Sequence, residues 1–170
     1  MNPTEWLKRT AAKSPGAPAL FTGVRQVADY AAFAETAGAI AHALQGRGVA
    51  KGDRVAVFMA NSTAYLEALY GIWWAGAAAV PINAKLHGRE AAWMVEDAGA
   101  KLVFCDEKSI KALSGLLSGD AQIVMTGSEA FDAMQSEAPL SEPVPLDEDD
   151  LAWLFYTSGT TGRPKGAMLT

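Results

Sequence analysis

The sequence is poor in cysteine and histidine, and this scarcity excludes several kinds of site. Cys105 is the one cysteine among 170 residues, so the chain can form neither an intramolecular disulfide nor a cysteine-based zinc site. The two histidines, His42 and His87, stand far apart in the sequence, which favours packed or half-exposed side chains over a shared metal ion. A lone cysteine is typical of a reducing compartment, and we expect a cytoplasmic protein.

The chain also lacks long apolar runs and an excess of positive charge. Ala68 to Ile82 carries no charge for fifteen residues, whereas a membrane-spanning helix needs about 20. Gly76 and Pro81 interrupt that run, so it predicts a buried helix and then a buried strand. The N-terminus has no signal-peptide pattern, and we expect no stable membrane span. With 14 Lys and Arg against 19 Asp and Glu, the net charge of -5 argues against nucleic acid as the main partner.

What the chain does contain is a regular alternation of apolar strands and amphipathic helices. Predicted strands are 54–58, 78–82, 102–105 and 123–125, and predicted helices are 30–45, one capped by Asn61 or Ser62, one around 91–98, 108–117 and 129–135. These strands are apolar on both faces, which favours parallel pairing with helices packed outside the sheet. The sequence therefore predicts an α/β fold with a parallel-rich sheet flanked by helices, in one domain.

The first thirty residues carry their own local signals. Thr4 is placed to cap a short helix that continues to Lys13. The apolar stretches 19–21 and 26–28 are separated by a glycine-containing turn and predict a small hairpin. Asp29 then stands where it can cap the next helix.

Two stretches rich in glycine or proline are interpreted as connections rather than binding sites. Residues 46–53 contain three glycines, but they follow a helix and precede a strand, which is the reverse of a dinucleotide-binding fingerprint. They therefore predict a turn. Residues 136–150 hold three prolines and an acidic run, and consecutive carboxylates on an extended chain point in different directions. We interpret them as a solvated surface connector rather than a cation site.

The stretch from Tyr156 to Gly166 carries the strongest functional signal in the chain. Its eleven residues, YTSGTTGRPKG, include three glycines, four aliphatic hydroxyls and two cations. Glycines let the backbone approach an anion and present successive N–H groups to it, while hydroxyls and a flexible ammonium complete the cradle. The composition of this stretch predicts a phosphate-binding loop.

The loop differs from a Walker A loop, in which the lysine and a hydroxyl residue open a helix. Lys165 stands between Pro164 and Gly166, and residues 167–170 offer no capping residue. The apolar residues 151–156 predict a buried strand before the loop. We therefore predict a strand, a mobile loop and a second strand, so that phosphate is held by a flexible flap.

This arrangement closely resembles the signature phosphate loop of the adenylate-forming superfamily, [YF]-T-S-G-[ST]-T-G-x-P-K-G. The superfamily includes acyl-CoA synthetases, aryl-CoA ligases, luciferases and peptide-synthetase adenylation domains, and all fixed positions of the signature match. More diffusely, residues 46–57, 76–86 and 99–106 are similar to segments of acyl-CoA synthetases. Relatives often carry Thr-Pro where this chain has His87 and Gly88, so the start of the following helix stays open.

The resemblance implies the N-terminal part of the large domain of an ATP-dependent, AMP-forming carboxylate–CoA ligase. Such an enzyme joins a small carboxylic acid to ATP, releases pyrophosphate and passes the acyl group to coenzyme A. The residues implied to hold the ATP phosphates are Thr157, Ser158, Gly159, Thr160, Thr161, Gly162 and Lys165. Thr157 would also contact Mg2+, whereas Arg163 fills the variable position and is expected to face solvent.

In the family, contacts to the base and the ribose, and a lysine that acts in the transition state, come from later segments that these 170 residues do not include. We therefore expect an incomplete domain without a catalytic residue of its own and inactive when isolated. An uncovered apolar face would favour self-association into homo-oligomers. Other interpretations stay open: adenylation of an aryl or amino acid, an NTP-binding module that is not a ligase, and a non-catalytic association fragment.

Overall fold

The structure is a computed structural model, and it describes residues 1–157 and 164–170. These ranges contain six helices and eight strands. In chain order they are α1 (Glu5–Lys13), β1 (Pro18–Thr22), β2 (Arg25–Asp29), α2 (Tyr30–Gly46), β3 (Arg54–Phe58), α3 (Thr63–Trp74), β4 (Ala78–Ile82), α4 (Gly88–Asp97), β5 (Leu102–Cys105), α5 (Glu107–Leu113), β6 (Gln122–Met125), α6 (Glu129–Gln135), β7 (Trp153–Thr157) and β8 (Lys165–Leu169).

The strands form a two-stranded hairpin, β1–β2, and a six-stranded main sheet. The order in the main sheet is β6-β5-β3-β4-β7-β8, and each neighbouring pair from β6 to β7 is parallel. Strand β8 runs antiparallel to β7 and lies at the edge opposite β6. Parallel neighbours need crossover connections, and helices supply them here. The predicted α/β fold with a parallel-rich sheet flanked by helices is confirmed.

Two apolar cores, one on each face of the main sheet, explain why its strands are apolar on both sides. The first core lies between the sheet and helices α2, α3 and α6, and the second lies between the sheet and helices α4 and α5. Side chains alternate along a strand, so β3 contributes Val55 and Val57 to the first core and Ala56 and Phe58 to the second. A central strand of this kind has no solvated face.

The N-terminal predictions are confirmed except for the cap of α1. The hairpin β1–β2 forms as predicted, and the Asp29 carboxylate accepts a hydrogen bond of 2.8 Å from the Ala32 N–H at the start of α2. Thr4 precedes α1, but its buried hydroxyl donates to the side-chain oxygen of Asn2 at 2.6 Å and makes no cap bond. The predicted cap is wrong because Asn2, which is also buried, competes for that hydroxyl.

Asn2 joins three separate parts of the chain. Its side-chain amide donates to the carbonyls of Trp73 at 2.6 Å and Val144 at 2.9 Å, while its oxygen accepts from the Thr4 N–H and hydroxyl. Every polar atom of this buried side chain therefore has a partner, as burial requires. The N-terminus, the end of α3 and the connector are held together at this point.

The connector 136–150, all of which the structure describes, contains neither helix nor strand, yet it is anchored rather than solvated throughout. The Leu140 N–H donates to the Gly38 carbonyl of α2 at 3.1 Å, and the Val144 N–H donates to the Trp74 carbonyl at the end of α3 at 2.9 Å. Its acidic end is largely exposed, and Lys51 pairs with it there. The connector thus leads the chain across the first core to β7.

The end of α5 differs from the sequence prediction, and the start of α4, which the sequence left open, is now defined. Helix α5 was predicted to reach residue 117, but it ends at Leu113, and Gly115 adopts a φ of 70° that no helix allows. The start of α4 is at Gly88, where the His87 N–H donates to the Glu90 carboxylate at 3.2 Å. Among the described residues, no helix is both long and apolar enough to cross a membrane.

Candidate functional site

The carboxyl ends of β3, β4, β5 and β7 approach one another at one end of the main sheet, where a cleft of about 650 Å³ opens. Ligands of open α/β sheets bind at this end because the loops that leave the strands diverge there. The walls of the cleft include Met59, Asn83 and Asp106, each directly after a strand, and Phe155 and Tyr156 from the second half of β7. The predicted phosphate loop leaves β7 at this place.

Asp106 fixes the end of β5 to the end of β3. One carboxylate oxygen accepts from the Ser109 N–H at 2.8 Å and caps α5, and the other accepts from the Ala60 N–H at 2.9 Å. Burial raises the pKa of Asp106, but these backbone hydrogen bonds outweigh it and hold the pKa below the usual range for aspartate. Asp106 is therefore ionised, and both of its oxygens already accept hydrogen bonds. These properties fit a structural role in the cleft wall better than the role of a proton donor.

The other ionisable side chains of the cleft wall favour an anionic ligand. Lys85 and Lys108 line the same cleft as Asp106, and their ammonium groups supply positive charge. Asn83 accepts a hydrogen bond from the Lys85 N–H at 3.0 Å, which turns the chain as it leaves β4. Tyr65 of α3 also lines this wall, and burial raises the pKa of its hydroxyl further above neutral pH, so it adds no negative charge.

The hairpin β7–β8 brings two of the predicted phosphate contacts together. In the antiparallel register Thr157 lies opposite Lys165, and the Thr157 hydroxyl is 3.5 Å from the Lys165 carbonyl oxygen, to which it donates. Both residues are exposed, one at the last position of β7 and the other at the first position of β8. Strands form before and after the loop as predicted, and Lys165 begins a strand rather than a helix. The prediction that the first of them is buried is wrong, because β7 is only half-buried.

The remaining predicted contacts lie outside the described residues. They are Ser158, Gly159, Thr160, Thr161 and Gly162, together with the variable residue Arg163. Their proposed roles stay predictions, supported by the position of the two residues that frame them. Thr157 and Lys165 show that both ends of the loop meet at the carboxyl end of β7.

Sequence reasoning did not single out Asn83, Lys85, Asp106 or Lys108, which the structure brings to the cleft. Their shared signal is position, because each follows closely after a buried strand, β4 or β5. In a parallel sheet, residues at such positions collect at one edge. Polar residues that directly follow apolar strands could therefore have been proposed from the sequence.

The described residues contain no group of three or more histidine, cysteine and acidic side chains arranged to hold a metal ion. His42 lies against the connector, with Nδ1 2.7 Å from the Ala138 carbonyl oxygen, and His87 precedes α4. Cys105 is buried at the end of β5, and this burial raises the pKa of its thiol to about 12. None of these side chains faces the cleft as a reactive group.

A second cavity, of about 550 Å³, lies where α4 ends and the loop before β6 begins. Its walls include Val95, Lys101, Leu117 and Gln122, so it occupies the amino ends of β5 and β6. The strand ends that carry the loop are at the other end of the sheet. We therefore assign the candidate site to the first cleft.

Comparison with known proteins gives consistent matches. A family model described as "AMP-binding enzyme" matches residues 7–170. Feruloyl-CoA synthase of an Amycolatopsis species is 38% identical over 165 residues, which cover 97% of this chain and 32% of that protein. A plipastatin synthase polypeptide of Bacillus subtilis is 37% identical over 159 residues, or 94% of this chain and 6% of that protein. The crystal structure of ATP-bound MatB from Rhodopseudomonas palustris has a TM-score of 0.86 at 30% identity, covering 100% of this chain and 35% of that one.

The chain thus spans about a third of the length of the feruloyl-CoA synthase that it matches. The family model covers the cleft, the hairpin β7–β8 and all seven residues predicted to hold phosphate. The fold of the main sheet, the loop signature and the family match point in one direction. By these observations, the chain belongs to the AMP-binding enzyme family.

Proposed function

We propose that the chain forms the phosphate-binding part of an ATP-dependent, AMP-forming carboxylate–CoA ligase. A carboxylate oxygen of the acid attacks the α-phosphorus of ATP, the bond to the bridging oxygen breaks, and pyrophosphate leaves as the acyl adenylate forms. The sulfur of coenzyme A then attacks the acyl carbon, its proton is lost, and AMP leaves. In this proposal the main sheet is the N-terminal part of the large domain of a cytoplasmic enzyme.

One observation carries the proposal: Thr157 and Lys165 pair across β7 and β8 at the edge where the parallel strands end. The hydroxyl and the ammonium of this pair stand at the two ends of the signature loop, close to a cleft whose wall carries Lys85 and Lys108. Pyrophosphate gains negative charge as it departs, and a cation and donors held in place stabilise that charge. Departure of pyrophosphate during adenylate formation is therefore the step that these residues serve.

Magnesium fits this site by the chemistry of its donors. Mg2+ prefers hard oxygen ligands and reaches nucleotide sites through substrate phosphates, water and one or two protein oxygens. The exposed hydroxyl of Thr157 is such an oxygen, and we propose that it contacts the ion that accompanies ATP. When bound, Mg2+ offsets phosphate charge, while the residues of this chain bind and orient the phosphates.

The identity of the acid and of the acceptor thiol is also a proposal. The similarity to a feruloyl-CoA synthase supports an organic acid as substrate and coenzyme A as acceptor. A second candidate is adenylation of an aryl or amino acid that is passed to another thiol. This alternative is supported by the similarity to a plipastatin synthase, because that protein is not named as a coenzyme A ligase.

The test is acid-dependent exchange of labelled pyrophosphate into ATP, measured on the protein as its gene encodes it. A panel of fatty, aryl and amino acids identifies the acid that drives exchange. Lys165→Ala should lower the exchange rate by about 10²-fold, because a cation that meets the leaving group is lost. The matched control is Lys13→Ala, which removes another exposed lysine at the end of α1, and its exchange rate should equal that of the wild type.

Two outcomes would contradict the proposal. Exchange that is unchanged in Lys165→Ala removes Lys165 from the phosphate site, and a wild-type protein that no acid drives to exchange is not an adenylating ligase. The same assay covers the 170 residues alone, which we propose to be inactive. Ordering the loop costs roughly 1 to 2 kcal/mol per residue, and phosphate contacts alone do not offset this cost. Exchange by the 170 residues would contradict that part.

A further inference from the structure

The side chain of Tyr156, the residue directly before Thr157, is held by two residues of α4. Its hydroxyl donates to the Asp97 carboxylate at 2.7 Å. Its ring meets the edge of Trp93, with centroids 5.7 Å apart and planes at 78°. Trp93 and Asp97 are four residues apart and so lie on one face of the helix, where they form a slot for the tyrosine.

Helix α4 is a firm support for this slot. At Gly88, its first residue, an added Cβ would lie 2.7 Å from the Ala112 carbonyl carbon and still closer to its oxygen, so α4 and α5 touch through backbone. Met94 and Val95 of the same helix are buried in the second core. Tyr156 therefore contacts the exposed end of a helix whose other end is fixed against α5.

The slot also holds the second strand of the hairpin. Gly166 lies opposite Tyr156 in the antiparallel register. A Cβ built at Gly166 would lie 3.0 Å from the Leu154 side chain and 3.7 Å from the Tyr156 ring, so β7 side chains lie over the glycine backbone. Fixing Tyr156 thus fixes both strands from which the loop extends.

We propose that Asp97 is a positioning residue for phosphate binding: through the Tyr156 hydroxyl it sets the position of the β7–β8 strand ends that carry Thr157 and Lys165. This inference rests on the proposed function and deepens it. The family signature allows phenylalanine at the place of Tyr156, so the hydroxyl and its partner are a feature of this chain beyond the shared loop chemistry. In this proposal Asp97 acts only through the tyrosine, with which it shares a hydrogen bond.

The bond is suited to alignment more than to stability. Asp97 is exposed, and interactions of solvent-exposed charged groups contribute little to the free energy of unfolding. Burial and the bond to Asp97 both raise the pKa of Tyr156, so the phenol keeps its proton and remains a donor across the physiological pH range. Loss of this bond should therefore change how the loop meets ATP while the fold survives.

The experiment measures acid-dependent pyrophosphate exchange at varied MgATP for Asp97→Ala, Tyr156→Phe and the double variant. Each single variant should raise the KM for MgATP by about three- to tenfold, the effect of one lost hydrogen bond, with the KM for the acid unchanged. The double variant should be no worse than either single one, because both remove the same bond. Asp97→Asn keeps an acceptor oxygen and should stay within about twofold of the wild type.

Glu96→Ala is the matched control, since Glu96 is the neighbouring exposed carboxylate of α4 but bonds Ser118, away from the hairpin. Its KM for MgATP should equal that of the wild type. If Asp97→Ala behaves as Glu96→Ala does, or if it lowers thermal stability without changing the KM for MgATP, the positioning role is overturned and the proposed function stands. If the wild type shows no acid-dependent exchange, the proposed function is overturned, and this inference is overturned with it.

Discussion

Replacing Gly88 by alanine should push α4 away from α5. An added Cβ would stand 2.7 Å from the carbonyl carbon of Ala112 and nearer to its oxygen, whereas ordinary contacts begin at 3.4 Å. The carbon alone would require a shift of about 0.7 Å, and the nearer oxygen requires more. Neither obstructing atom belongs to a flexible side chain. Overpacking of this kind costs about 1 to 3 kcal/mol. The gain from replacing glycine in a helix, about 0.4 to 1 kcal/mol, offsets only part of that cost.

The expected net loss is about 1 to 2 kcal/mol of unfolding free energy, a large part of the roughly 5 to 15 kcal/mol of an ordinary domain. Urea unfolding followed by tryptophan fluorescence measures it, and the midpoint should fall by about 0.5 to 1 M. Gly46→Ala is the matched control, because Gly46 ends α2 and an added Cβ there meets no atom within 4 Å. That variant should be as stable as the wild type or slightly more stable.

A Gly88→Ala midpoint at or above that of the wild type would refute the close backbone contact between α4 and α5. It would also weaken the argument that α4 is a fixed support for Tyr156. If Gly46→Ala were destabilised as strongly, the cause would be glycine replacement in general rather than this contact. The two variants together therefore separate the effect of the contact between α4 and α5 from the general effect of replacing a glycine.

Two further predictions concern the cleft and the sheet edge. Because the pKa of Asp106 is held below its usual value in the folded state, its contribution to stability should be complete above about pH 4 and be lost as pH falls through the folded pKa. Asp106→Asn should cost about 1 kcal/mol at pH 7 and reduce the loss of stability in acid, as urea unfolding at several pH values would show; an unchanged acid profile would contradict this. Met168 and Leu169 on edge strand β8 are 73% and 49% exposed, so the chain should self-associate at raised concentration, and Met168→Lys should lessen the association. Sedimentation equilibrium checks this, and a strictly monomeric wild type at high concentration would disprove it.

The sequence predicted the elements well where burial on two faces left a continuous apolar run. Strand β5 is of this type, because all four residues from Leu102 to Cys105 are buried. Helix ends were less predictable. The end of α5 depends on a glycine conformation, and Thr4 bonds Asn2, whose side chain is held in place by the distant carbonyls of Trp73 and Val144. Local propensity yields to such contacts.

In the candidate site, too, the residues of a contiguous motif were predicted and the contacts between distant residues were not. Thr157 and Lys165 were predicted because the loop signature is contiguous, and their cross-strand pairing follows from a strand on either side. The bond between Tyr156 and Asp97 joins residues 59 positions apart, and the wall formed by Asp106 and Ala60 joins residues 46 apart. Such pairs depend on how α4 and the strand ends are placed, which a single sequence does not specify.

The burial of Asn2 has a practical consequence for handling the protein. Met1 is 69% exposed while Asn2 is 3% exposed, so the chain passes from the surface into the interior between these two residues. Expression vectors often change residues near the N-terminus, and here Asn2 bonds the carbonyls of Trp73 and Val144. An affinity tag should therefore join through a flexible linker placed before Met1, with Asn2 left as it is. A tag that replaces Asn2 would leave two carbonyls without their donor in the interior.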